Sequence, residues 1–230
     1  MPPQAQAEFL LERSINHYAG ANGEIERRLQ TWHGRIDPND HFETLFRMAI
    51  NSDDLRVRAA AVEIDIVARK LEKNTETIDR LEQLARTGEQ GPRANALWDL
   101  GLVGGRGVEP ARVAQVLLAS VHDDNVNIRY WAVEGLGYLA TDEAIGPLLA
   151  AFHDDPSPMI RERAACNLAQ SGMLSREQRR SAVPKLLDFA GDFSLDDQTR
   201  GWVFQALRDI TGQTLPRDAS AWRAWYERPR

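Results

Sequence analysis

Cysteine is almost missing from this chain of 230 residues: Cys166 stands alone. A lone thiol excludes an internal disulfide framework and suits a reducing, cytoplasmic compartment. Positive charge is also scarce. Lys and Arg number 28 against 34 Asp and Glu, a formal net charge of -6. That balance gives no support to binding of nucleic acid or an anionic membrane. No stretch approaches the roughly 20 apolar residues of a membrane helix. The start, MPPQAQAEFLLERS, lacks a basic segment followed by an unbroken apolar run, so it does not read as a secretory signal. Sustained period-two alternation is absent as well, which argues against strands.

Ala, Leu, Arg and Glu dominate the periodic segments, and the pattern repeats. DNVNIRYWAVEGLGYL (124–139) and DPSPMIRERAACNLAQ (155–170) share a turn, an Ile-Arg step and an apolar helix. VRAAAVEI, PRANALWDLG and TRGWVFQAL fit the same register. The aligned arginines are Arg58, Arg93, Arg129, Arg161 and Arg200, spaced 35, 36, 32 and 39 residues apart. A helix-turn-helix unit fills such a period and a single helix does not. Each unit offers an apolar first helix, as in PARVAQVLLASV, then acidic turn residues such as HDDN or HDDP. Those acids suit the free N–H groups and positive dipole end of the next helix. Arginine in that helix's first turn can bridge to its own turn or the next, which predicts a structural Arg ladder along the stack.

These segments resemble HEAT repeats of bacterial type. DDLRVRAAAVEI, DDNVNIRYWAVEGLG and DDPSPMIRERAACNLA carry the family's turn, Arg step and Ala-rich helix over roughly residues 40–212, while PRANALWDLG departs with Glu89 before it. The resemblance implies an all-α superhelix, a solenoid of about five helix pairs with helical caps. The expected organisation is an N-terminal helical cap at 1–40, repeats at 41–212 and a capping helix at 213–230. In that last segment Asp218 is the expected N-cap, and Trp222, Trp225 and Tyr226 fold back over the final helices.

No catalytic constellation emerges. Cys166 has no His or acid placed by motif, and GLVGGRG (101–107) lacks the Lys-Ser/Thr ending of a phosphate loop. His122 and His153 hold equivalent slots, each followed by two Asp, so a metal bridge between units is conceivable. A helix C-terminus equally welcomes the partial positive charge of a histidine. No cofactor is expected. Counting from the residue before each Arg, offsets 0, +4, +5 and +8 form an apolar stripe. At about 100° per residue, offsets +3, +6 and +10 face the other way. Trp98, Trp131, Tyr138 and Trp202 land there, with Arg163. These residue types anchor binding sites. The leading expectation is a non-enzymatic scaffold gripping a protein or peptide on its concave face. The competing account packs these rings against each other as neighbouring units close up. The alternative function is a HEAT-like enzyme, lyase or chaperone-type protein using the same face, with a metal at the two histidines as its marker.

Overall fold

Asn39, Asp54, Asn74, Asn125, Asp196 and Asp218 each accept a hydrogen bond from a backbone N–H at a helix start. Short side-chain oxygens of this kind satisfy donors the helix cannot, which fixes where helices begin. The computed structural model describes residues 1–228, and every regular element among them is helical. No helix among them is long and apolar enough to cross a membrane.

The first elements are α1 (Pro3–Ile15), α2 (Ala21–Trp32), α3 (Asp40–Ile50) and α4 (Leu55–Ala68). Their apolar residues recur at helical spacing, as Ile25, Leu29 and Trp32 do on α2 and Phe42, Leu45, Phe46 and Ala49 on α3. α1 packs on the other three, and α4 also packs on α2 and α3. α4 is covered on nearly all sides, with Val57, Ala61, Val62, Ile64 and Ile66 each at most 1% exposed.

Four helix pairs then stack side by side. They are α5 (Thr75–Thr87) with α6 (Gln90–Gly104), α7 (Pro110–Ser120) with α8 (Val126–Leu139), and α9 (Ile145–Asp154) with α10 (Pro158–Ala169). The last pair is α12 (Val183–Ala190) with α13 (Asp197–Thr211), preceded by the short α11 (Arg176–Ser181). α6, α8, α10 and α13 pack in succession as the inner layer. At offset +8 they contribute Leu100, Leu136, Leu168 and Leu207, all 0% exposed. Each such leucine contributes about 2 kcal/mol through burial. α6 and α8 approach backbone to backbone: a Cβ on Gly101 would lie 2.5 Å from the Cα of Gly135.

The chain is thus an α-solenoid of helix pairs with helical ends. The pair α3–α4 keeps the repeat's sequence pattern but sits differently from the rest. Arg58, at the start of α4, donates to the carbonyl of Gly172 beyond the end of α10 at 2.8 Å. Glu63 faces Arg106 beyond the end of α6 at 3.5 Å, and Arg69 reaches Asp99 within α6 at 3.3 Å. α4 therefore runs across the C-terminal ends of the inner helices instead of lying parallel beside α6. At the far end α14 (Ala219–Tyr226) begins at Asp218. Trp222 is 0% exposed, and its indole N–H donates to the carbonyl of Pro216 at 2.9 Å. The Trp225 ring packs edge-on against it at 5.8 Å.

Candidate functional site

Three of the aligned arginines make the same pair of contacts. Arg93 donates to the Ala85 carbonyl at its own turn and to Asp123 of the next turn at 2.5 Å. Arg129 donates to the Asp123 carbonyl and, through two nitrogens, to Asp155 at 2.8 and 3.1 Å. Arg161 donates to the Asp155 carbonyl and to Asp196 at 2.8 Å. Each guanidinium thus covers the free carbonyls of one helix end and reaches one unit ahead. Asp123 is held below the usual carboxylate range: burial works against ionisation, but the Asn125 N–H and Arg93 outweigh it.

Arg58 and Arg200 depart from that ladder. Arg58 meets its own turn at the Ser52 carbonyl, then turns to Gly172 because α4 crosses the stack. Arg200 pairs with Asp197 one turn along its own helix, and its guanidinium lies 5.8 Å from the Phe193 ring centroid. It belongs to the last pair, and Asp218 of the following turn caps α14 instead of meeting it.

The inner aromatic residues divide into a floor and an edge. Trp98 is 6% exposed and Tyr138 is 2% exposed, with ring centroids 4.6 Å apart. The expectation that both line an open groove is therefore corrected: α4 covers them, and they pack as an inter-repeat layer. Burial pushes the Tyr138 hydroxyl's pKa up. Trp131 stacks edge-on against Trp98 at 5.8 Å and against Tyr130 at 5.4 Å, yet remains half-buried, as does Trp202. Arg163 is also half-buried and forms an ion pair with Glu134 of α8. Its second amine donates to the Ser171 hydroxyl at 3.0 Å, which in turn donates to the side-chain oxygen of buried Asn167. Offset +3 on the adjacent helices α8, α10 and α13 thus presents Trp131, Arg163 and Trp202 in order.

A charged layer lies beneath α4. Asp65 is 4% exposed and accepts from Arg69 at 2.9 Å. Asp99 shares that arginine, and burial pushes its carboxyl up to about 6 despite the attraction of Arg69.

The histidines do not come together as ligands. His153 contacts Asp154 at 2.5 Å and Asp192 at 2.9 Å, whereas His122 is exposed. Among the described residues no group of three or more His, Cys, Asp or Glu could hold a metal. Burial tends to lower the His153 pKa, but its two carboxylates prevail and raise it. Cys166 is half-buried, and burial pushes its thiol up, away from a reactive thiolate.

One feature had no periodic signal in the sequence. Arg179 on α11 donates to the carbonyls of Leu174, Asn167 and Ser171, closing the end of α10. Burial and the nearby charge of Arg58 push its pKa down to about 10. These two arginines meet at a cavity of roughly 620 Å³ also lined by Arg176 and Arg180.

A family model for HEAT repeats matches residues 78–169 and 114–208. No curated protein matches the sequence. Among solved structures, an engineered protein is 15% identical, with 90% of this chain and 96% of that one covered at a TM-score of 0.42. A designed armadillo repeat protein in complex with the peptide (KR)4 is 14% identical, with 87% and 98% covered at a TM-score of 0.40.

Proposed function

Because the chain belongs to the HEAT-repeat family, we propose that it is a non-enzymatic scaffold that grips a segment of a partner protein on its inner face. The observation that carries this reading is the half-buried row Trp131, Arg163 and Trp202 at one register on three adjacent helices. Tryptophan and arginine on a partly desolvated surface are the residue types that supply most binding energy at interfaces. Trp98 and Tyr138 serve as a rigid floor beneath Trp131, so the anchor is held before a partner arrives. The Glu134 contact fixes Arg163 in the same way. The single cysteine suits a reducing compartment such as the cytoplasm for this work.

Selection of peptides from a displayed random library against the full chain tests the reading. Enriched peptides are expected to lose at least tenfold in affinity for Trp131→Ala and for Trp202→Ala. Trp202→Ala should melt within a few degrees of the parent. Peptides that bind both variants as well as the parent would discard the row.

A further inference from the structure

The cavity between the start of α4 and the far end of the stack holds four arginines, Arg58, Arg176, Arg179 and Arg180, against two carboxylates, Asp53 and Asp209. This is a local excess of positive charge in a chain whose net charge is -6. Six other arginines, Arg69, Arg93, Arg112, Arg129, Arg161 and Arg163, pair with carboxylates. The four at the cavity do not. Arg58 is 4% exposed and donates to the carbonyls of Ser52 and Gly172. Arg179 likewise donates only to carbonyls. Among the described residues Arg176 and Arg180 have no carboxylate within ion-pair distance, and both are exposed at the cavity. One buried and one half-buried guanidinium beside two exposed ones, with like charge acting between Arg58 and Arg179, form a site that an anion would relieve.

We infer that this cleft binds an acidic stretch of a polypeptide through its carboxylate side chains. Arg176 and Arg180 are four residues apart on α11, which sets their side-chain origins about 6 Å apart. An extended segment puts alternate side chains on one face at about 6.8 Å, so two carboxylates in an i, i+2 relation match the two free forks. A phosphate group concentrates its charge at one point, whereas these donors are spread along the cleft. Asp53, Asp209 and the carbonyl end of α13 at Thr211 and Gly212 also stand at the rim, which suits single charges better than a polyphosphate. A cavity of roughly 620 Å³ accommodates a few residues of such a segment. The site is separate from the tryptophan row and does not depend on it.

Fluorescence anisotropy with a labelled hexaglutamate peptide tests this, with hexaglutamine and a singly phosphorylated serine peptide as the other probes. Hexaglutamate is expected to bind the full chain at least tenfold more tightly than hexaglutamine. That advantage should shrink with salt and disappear in the Arg176→Gln/Arg180→Gln variant. Both substituted side chains are exposed, so the variant should keep the parent's melting temperature. Equal binding of the glutamate and glutamine peptides overturns the inference, as does hexaglutamate affinity unchanged in the variant. A tenfold preference for the phosphorylated peptide overturns the carboxylate assignment.

Discussion

Asp99 is an ionisable residue held at a cost. Its carboxyl titrates near 6 in the folded chain against an ordinary 3.8, because burial outweighs Arg69. Between these values the native state binds a proton that the unfolded chain lacks, so stability falls as pH rises from about 4 to about 6. Asp99→Asn should therefore gain about 1 kcal/mol at pH 8, with the gain vanishing near pH 4 in urea melts at the two values. His153 has the same pH slope from the opposite cause, since here the charged form is the favoured one. Its pKa is raised, so its contribution is present below about 6.5 and is lost as pH rises through the folded value. His153→Gln should lower the melting temperature by about 1 °C at pH 5.5 and leave it unchanged at pH 9. The ladder arginines are a third case. Arg129→Met strands Asp155, which is 8% exposed, and should cost about 2–3 kcal/mol in a denaturant titration. Arg200→Met should cost under about 0.5 kcal/mol in the same measurement, because its partner Asp197 is exposed. The arginine spacing was legible in the sequence because each turn repeats the same carbonyl ends. What Arg58 and Arg200 do was not, because that depends on which unit comes next in space.

For the helices, the periodic apolar stripe was readable and the wet face was only half so. The offset count placed Trp98 and Tyr138 on the face opposite the core, yet they are 6% and 2% exposed. A helical wheel describes one helix against its own stack and carries no information about α4 crossing that stack. Trp131, Arg163 and Trp202, at the other edge of the same face, do stay half-open. The seam between α6 and α8 depends on two glycines that no wheel distinguishes from alanine. Gly101→Ala would push a methyl group into the backbone of Gly135 and should cost about 3 kcal/mol, read from chemical melts. Gly146, inside α9, has no atom within 4 Å of an added Cβ. Gly146→Ala should leave stability unchanged or raise it by about 0.5 kcal/mol in the same assay.

The whole chain is held at two levels. Neighbouring pairs share the leucine seam, and the N-terminal unit is fastened across them by Arg58, Asp65 and Arg69. The loop that Arg58 grips is itself tied down, since the Met173 N–H donates to the Gly137 carbonyl at 2.8 Å. Arg58→Leu should therefore speed hydrogen exchange at the Met173 amide by tenfold or more while the α7 and α8 amides stay slow. In most of the stack each contact joins segments thirty or forty residues apart, so a growing chain can secure every pair soon after it emerges. The Arg58 contact spans 114 positions. During synthesis at about 5–20 residues per second, α4 waits several seconds for the loop it must meet. Arg58 meets only the Ser52 carbonyl of its own turn over that interval, although α4 is already packed on α1, α2 and α3, so this clasp is among the last contacts to close.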